Sequence, residues 1–218
     1  MAKRFELIVF DWDGTLMDST GAIVASIKAA ASDLGIEPPT DERASHIIGL
    51  GLIDALRHAL PDLPADRYQD VAVRYRQHYM ARDHDLLLFD GAETMIDELV
   101  TAGYMLAVAT GKTRKGLDRA FEVSGLGPRF HASRCADECH SKPHPQMLEE
   151  LMNEFGVMPE ATLMIGDTTH DLLMARNAGV AALGVAYGAH PRHVLEAESP
   201  VFCAANVAEL AAWLREQG

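Results

Sequence analysis

Short runs of consecutive apolar residues recur along the chain and alternate with helix-like stretches. The runs occupy residues 7–10, 104–109, 162–165 and 181–185, with weaker ones at 131–135 and 201–202. Continuous rather than alternating apolar runs are typical of strands buried on both faces of a parallel sheet. Helical stretches such as 92–102 and 145–155 would supply the crossovers. The pattern predicts an α/β fold with a doubly wound, Rossmann-like parallel sheet.

The stretch from 18 to 88 breaks this alternation, because its pattern is helical throughout. Ile23, Ile27 and Leu34 fall on one helical face, and residues 65–80 form another candidate helix. A glycine-punctuated turn at 47–52 lies between helices. We therefore predict a small all-helical cap inserted after the first strand, and the alternative is that these helices are more of the core. The predicted domains are an α/β core at 1–17 and 89–218 and a helical cap at 18–88.

Composition narrows the class of protein. With 218 residues and 48% hydrophobic content, the chain can form a sizeable core, which excludes disorder. Its net charge of −13 disfavours binding to nucleic acid or an anionic membrane. No apolar run approaches the roughly 20 residues of a membrane span, and the first run is too short for a signal peptide. Three cysteines disfavour a disulfide framework, so we expect a cytoplasmic protein.

Reactive and phosphate-binding side chains follow the predicted strands. Ligands of open α/β sheets bind in the crevice outside the carboxyl ends of the strands. The spacing therefore predicts that four groups meet at one site: Asp11 and Asp13; Thr110, Gly111 and Lys112; Lys142; and Asp167 and Asp171.

The first acidic pair is suited to phosphoryl chemistry. If the chain stays extended, Asp11 and Asp13 project to the same side, where their charges repel unless a cation or a proton intervenes. An aspartate is ionised at neutral pH, so Asp11 is a candidate nucleophile that needs no separate base. Asp13 is a candidate general acid and base.

The second acidic pair is suited to a metal. Asp167 and Asp171 would face the same way if a helix begins after Asp167. Carboxylate oxygens of this kind suit Mg²⁺. Thr110, with the amides after it, can cradle a phosphate, and Lys142 adds a positive charge. The four aspartates would repel a phosphate ester, so we expect the metal to bind before the substrate.

Each of these short patterns is weak alone, and the second acidic pair could be a helix cap plus a surface acid. Together they resemble the haloacid dehalogenase-type phosphatases, and most closely their phosphoglycolate phosphatase-like branch, over essentially the whole chain. The matching motifs read DWDGTLMDS, ATGK, SKPHP and MIGDTTHD.

The resemblance implies a role for each motif residue. Asp11 would be the nucleophile that becomes an aspartyl-phosphate, and Asp13 the acid/base whose main-chain carbonyl also ligates the metal. Thr110, Gly111 and Lys142 would bind phosphate. The metal set would be Asp11, Asp13, Asp167 and Asp171, with Asp137 near the metal and Gly49 and Gly51 in the cap turn as substrate contacts.

Two positions depart from the branch pattern. Gly111 stands where an asparagine is common, and Trp12 where a smaller apolar residue is common. Asp13 argues against a dehalogenase. A zinc site is a weaker alternative, because the spacing of its candidate ligands is irregular; these are Cys135, Cys139, His140 and His144. The histidines of the cap are expected at the surface: His46, His58, His78 and His84.

The sequence thus predicts a Mg²⁺-dependent phosphatase acting on a small phosphate monoester, either phosphoglycolate-like or a sugar phosphate. Its partner would be a small phosphorylated metabolite, with no nucleic acid and no membrane, and the protein would be a monomer or homodimer. One alternative is a phosphomutase of the same superfamily, similar to β-phosphoglucomutase. Another is a phospho-receiver signalling module.

Overall fold

A six-stranded sheet, parallel throughout, forms the centre of the protein. The computed structural model describes residues 4–217. The strands are β1 (Leu7–Phe10), β2 (Met105–Thr110), β3 (Ala132–Cys135), β4 (Thr162–Gly166), β5 (Ala181–Val185) and β6 (Phe202–Ala204), in the order β3-β2-β1-β4-β5-β6. The chain winds outward from β1 in both directions, which confirms the predicted doubly wound α/β fold.

Helices cover both faces of the sheet. They are α1 (Thr20–Asp33), α2 (Asp41–His46), α3 (Leu52–Ala59), α4 (Tyr68–Met80), α5 (Ala92–Thr101), α6 (Arg114–Ser124), α7 (Gln146–Phe155), α8 (Thr169–Asn177), α9 (Arg192–Ala197) and α10 (Val207–Gln217). Ile8 and Phe10 of β1 join the apolar cluster beneath α5, α6 and α10. Leu7 and Val9 join the opposite cluster beneath α7 and α8. The period-2 geometry of a strand thus explains why its apolar run is continuous.

The strand register brings the reactive loops to one edge. Phe10, the last residue of β1, is level with Val108 on one side and Ile165 on the other. The Asp11 amide continues the pairing and donates a hydrogen bond of 2.9 Å to the Ile165 carbonyl. The loops after β1, β2 and β4 therefore open onto the same crevice.

Helices α1 to α4 form an apolar cluster of their own between β1 and β2. Ile27, Leu56 and Val71 are fully buried within it. The helical expectation holds, except that residues 65–67 form a 3₁₀ turn before α4.

The two chain segments that lead into and out of these helices lie side by side. Met17 bridges Leu88, and the Asp18 amide donates a hydrogen bond of 2.9 Å to the Leu87 carbonyl. The division at 17/18 and 88/89 stays a prediction, and its residues 1–3 and 218 lie outside the described part. Within residues 4–217, no helix is long and apolar enough to cross a membrane.

Candidate active site

A buried cluster of three aspartates and one lysine lies at the carboxyl edge of the central strands. Lys142 Nζ lies 2.7 Å from Asp11 Oδ1 and 2.6 Å from Asp171 Oδ1. One oxygen from each of Asp11, Asp167 and Asp171 lies within 4.8 Å of the others. All four side chains are buried. A single lysine among three carboxylates leaves an excess of negative charge, so the cluster could hold a cation.

Asp11 is the carboxylate with the fewest partners. Its one close partner is Lys142, whose Nζ lies 2.7 Å from Oδ1, and Oδ2 has no hydrogen-bond partner among the described residues. Burial, supported by the charges of Asp171 and Asp13, raises the pKa of Asp11 from 3.8 to about 7, and Lys142 opposes this shift. A buried group left in this way is suited to bind an ion or to act as a nucleophile.

Asp167 is held by the loops on either side of it. Its Oδ1 accepts a hydrogen bond from Thr15 Oγ1 at 3.0 Å, and its Oδ2 accepts one from the Ala189 amide at 2.7 Å. A Cβ at Gly14 or Gly188 would collide with this carboxylate, so both positions require glycine. Burial and the neighbouring charges of Asp11 and Asp171 raise the pKa of Asp167 well above its usual value.

Asp171 has a structural role that its spacing from Asp167 only partly predicted. It is the third residue of α8 and forms a capping box with Thr168. Its Oδ2 accepts hydrogen bonds from Thr168 Oγ1 (2.7 Å) and the Thr168 amide (3.1 Å), while its Oδ1 faces Lys142. The helix cap fixes Asp171, and Asp171 in turn fixes the lysine.

Asp13 lies apart from the other three carboxylates. The chain bends at Trp12, and Asp13 is not among the carboxylates whose oxygens all lie within 4.8 Å of one another. Its Oδ1 accepts a hydrogen bond of 2.6 Å from Ser19 Oγ and lies 3.0 Å from Lys112 Nζ. Lys112 Nζ also donates a hydrogen bond of 3.0 Å to the Tyr79 hydroxyl of α4. Ser19, Tyr79 and the Lys112 side chain were not singled out from the sequence.

Thr110 ends β2, next to β1 in the sheet, and Gly111 follows it. Thr110 is fully buried, and its hydroxyl accepts a hydrogen bond of 3.2 Å from the Lys112 amide. A Cβ at Gly111 would lie 2.5 Å from the carbonyl oxygens of both Gly49 and Leu50. Because Gly111 has no side chain, the backbone of the turn between α2 and α3 can approach it closely.

The same turn contacts the core at two further points. The Gly51 amide donates a hydrogen bond of 2.8 Å to Ser141 Oγ, next to Lys142. Gly49 has a positive φ of 90°, and a Cβ there would lie 3.3 Å from Thr168 Oγ1. Substrate binding by Gly49 and Gly51 stays a prediction, since in this arrangement both residues contact core loops.

Three other sequence-based expectations concerned residues around Lys142 and in the helices. Among the described residues, the aspartate cluster is the only group of side chains placed to bind a metal ion. The candidate zinc ligands therefore do not form a metal site; they are Cys135, Cys139, His140 and His144. Asp137 is exposed and accepts a hydrogen bond of 2.8 Å from the Arg114 amide at the start of α6. His46 is exposed as expected, yet its ring stacks on His190 at 4.7 Å.

The Trp12 departure has a packing explanation. The side chain is fully buried and meets the Phe121 ring edge-on, with centroids 5.2 Å apart. The Phe130 ring lies 6.3 Å away. The large residue thus fills the space beneath α6 and leaves the crevice free for Asp11 and Asp13.

Comparison with known proteins identifies the family. The family model for haloacid dehalogenase-like hydrolases matches residues 8–185. The chain belongs to this family. It is 39% identical to the probable phosphatase IndB of Dickeya dadantii (strain 3937), over 89% of this chain and 86% of that protein. It is 30% identical to a phosphoglycolate phosphatase of Vibrio parahaemolyticus serotype O3:K6 (strain RIMD 2210633), with 95% of each chain covered.

A solved structure supports the fold. The crystal structure of a hydrolase from Pseudomonas syringae superposes with a TM-score of 0.89 at 22% identity, over 97% of this chain and 98% of that one. The family assignment confirms the predicted enzyme class, a phosphatase-like hydrolase, and the resemblance on which it rested. It does not favour the phosphomutase or the receiver module, because the family and both named relatives are hydrolases.

Proposed function

We propose that this hydrolase is a Mg²⁺-dependent phosphatase of small-molecule phosphate monoesters that works through an aspartyl-phosphate on Asp11. The observation that carries the proposal is the Asp11 carboxylate, which is buried beside Lys142 and two more aspartates, with its Oδ2 accepting no hydrogen bond from the described residues. The names of the two relatives, a probable phosphatase and a phosphoglycolate phosphatase, support the same reaction class.

The acidic cluster fits a divalent cation. Once ionised, the three buried carboxylates carry two more negative charges than Lys142 balances. Hard carboxylate oxygens are the protein ligands that Mg²⁺ prefers, and Oδ2 of Asp11 is available to it. Asp11, Asp167 and Asp171 would hold the ion, together with the main-chain carbonyl of Asp13. When bound, the ion would neutralise charge on the phosphoryl oxygens.

The first half-reaction transfers the phosphoryl group to the protein. A carboxylate oxygen of Asp11 attacks phosphorus in line, and the bond from phosphorus to the ester oxygen breaks. Asp13 gives its proton to the departing alkoxide. Thr110 and Lys142, which flank Asp11, stabilise the charge on the remaining phosphoryl oxygens, and such electrostatic contributions dominate phosphoryl transfer.

The second half-reaction returns Asp11 to its starting state. Asp13 takes a proton from a water molecule whose oxygen attacks phosphorus. The bond from phosphorus to the Asp11 oxygen breaks, and inorganic phosphate leaves. We propose that residues 18–88 act as a cap over this chemistry. The contacts of Gly51 with Ser141 and of the 49–50 backbone with Gly111 support a closed position over the crevice.

Phosphate release tests the proposal. The panel would contain 2-phosphoglycolate, sugar phosphates, nucleoside monophosphates and pyrophosphate, each with Mg²⁺ and with a chelator. We expect Mg²⁺-dependent turnover of at least one monoester. The control variant is Asp62→Asn, which removes an exposed carboxylate and should keep the same turnover. Equal turnover in the chelator would reject the metal, and no turnover of any ester by the folded protein would reject the phosphatase.

A further inference from the structure

A large cavity lies where the leaving group of the proposed reaction would sit. It has a volume of about 570 Å³, and Asp13, the candidate general acid, forms part of its wall. Helices α1 and α4 and the turn after α2 line one side of it, and the start of α6 lines the other. Pockets of roughly 300–1,000 Å³ enclose drug-sized ligands. A two-carbon glycolate would fill only a small part of this space.

The helical side of the cavity is apolar and aromatic. Ile23, Ile27 and Ile47 line it, together with Tyr75 and Tyr79. The two tyrosine rings stack with centroids 5.8 Å apart. Such a wall favours an organic group with a flat or apolar surface over a small, strongly hydrated acid.

The two tyrosines differ in what their hydroxyls do. The Tyr79 hydroxyl is held by Lys112, from which it accepts a hydrogen bond. The Tyr75 hydroxyl has no hydrogen-bond partner within residues 4–217, although the ring is partly buried. Burial raises the pKa of Tyr75, so the phenol keeps its proton at neutral pH and can donate it in a hydrogen bond. Tyr75 thus offers both a ring face and a free donor.

The cationic side chains of the cavity divide in the same way. Lys112 is paired with Asp13, and Arg119 is paired with Asp83 through contacts of 2.5 and 2.9 Å. Arg76 of α4 and Lys115 of α6 also line the cavity, and neither forms an ion pair with a described residue. These two side chains remain available for polar groups of a ligand at the mouth of the cavity.

We propose that the preferred substrates are phosphate monoesters whose alcohol carries a planar, unsaturated ring, the chemical class of nucleoside 5′-monophosphates. This inference rests on the phosphatase function proposed above. The phosphate would lie at Asp11 and the ester oxygen at Asp13, while the ring occupies the apolar cavity against Tyr75. The Tyr75 hydroxyl and Arg76 would meet the polar edge of the ring or its sugar.

A matched pair of substrates tests this proposal. Nucleoside 5′-monophosphates and ribose 5-phosphate present the same primary ester, and only the former carry a ring base. We expect kcat/KM for the best nucleotide to exceed that for ribose 5-phosphate by at least about 10-fold, the size of one stacking contact. Tyr75→Ala should reduce this ratio to near one. Val73→Ala, an exposed position on the same helix, should leave it unchanged.

The possible outcomes separate this proposal from the phosphatase itself. Turnover of ribose 5-phosphate or 2-phosphoglycolate equal to that of every nucleotide would overturn the ring preference and leave the phosphatase standing. If no ester is hydrolysed, both proposals fall. A Tyr75→Ala loss that is equal for nucleotide and ribose 5-phosphate would also overturn the ring contact. Tyr75→Phe preserves the ring and should retain most of the ratio, which guards against misfolding of the alanine variant.

Discussion

Two lysine–aspartate pairs lie within the same crevice, and they are built differently. Lys142 with Asp11 is almost completely shielded from solvent, with side chains 0% and 1% exposed. Lys112 with Asp13 is 11% exposed on both sides and reaches Tyr79 in the helical segment. The first pair belongs wholly to the loops at the sheet edge. The second is shared with helices that lie outside the sheet.

We expect this difference in burial to give the two halves of the site separate roles. In the buried half, Lys142 and the N-terminal cap of α8 hold the Asp171 carboxylate in a fixed position. In the shared half, Lys112 connects Asp13 to Tyr79 of α4, and all three residues line the cavity. This half would therefore contact a ligand in the cavity.

Removal of the proposed nucleophile, Asp11, should have the largest effect. Asp11→Asn keeps the shape of the side chain but cannot form the acyl-phosphate, so we expect kcat to fall by at least about 10⁴-fold. Phosphate release and circular dichroism would measure activity and fold together. A folded variant with turnover near that of the unchanged protein would contradict the role of Asp11.

Breaking each lysine pair tests the contrast directly. Lys142→Met leaves buried carboxylates without their counter-charge and should cost about 3–5 kcal/mol of unfolding free energy. Lys112→Met should cost less, about 1–2 kcal/mol, because Asp13 keeps the hydrogen bond from Ser19. Urea unfolding at pH 7 in a chelator would compare the two. Equal losses would mean that the two halves are not electrostatically distinct.

Metal binding should depend on pH in a defined direction. Asp11 ionises at about 7 in the metal-free fold and near 3.8 when unfolded, so stability falls as the pH rises between these values. Asp167 contributes in the same direction. A divalent ion binds the ionised carboxylates. Near-saturating Mg²⁺ should therefore raise the free energy of unfolding more at pH 8 than at pH 5, by about 2–3 kcal/mol. Thermal unfolding with Mg²⁺ and with a chelator at both pH values would show this, and a larger gain at pH 5 would contradict it.

Gly111 tests the contact between the helical segment and the core. A Cβ would meet the backbone of Gly49 and Leu50, so Gly111→Ala should displace that turn at a cost of about 1–3 kcal/mol. We also expect a raised KM, measured with the best substrate of the panel. A variant with unchanged KM and stability would show that the turn does not pack here in solution.

The smallest effect is expected at a matched glycine. Gly21 lies in the first turn of α1, and a Cβ at this position would have no neighbouring atom within 4 Å. Gly21→Ala should therefore stabilise the protein by up to about 1 kcal/mol through lower backbone entropy when unfolded. Urea unfolding would measure it, and the opposite signs at positions 21 and 111 would isolate the steric effect.

The fold could be predicted from the sequence because its signals are local. Each buried strand of a parallel sheet is a continuous apolar run, and the six runs marked the six strands to within a few residues. Asp11, Thr110 and Asp167 follow directly after such runs, so the general rule for strand ends placed them together. The weak runs at 131–135 and 201–202 also proved to mark the edge strands, β3 and β6.

The sequence by itself determined the doubly wound sheet, the family and the reactive edge, since these follow from periodicity and from motifs that lie within a few residues of each other. Tertiary structure decided which carboxylate stands apart. The bend at Trp12 turns Asp13 toward Lys112 and Ser19, and no spacing rule encodes that bend. The tertiary structure also determines that position 111 requires glycine and which residues line the cavity. Those answers depend on contacts between segments more than 50 residues apart, such as Gly49 with Gly111, and such contacts exist only once the chain has packed.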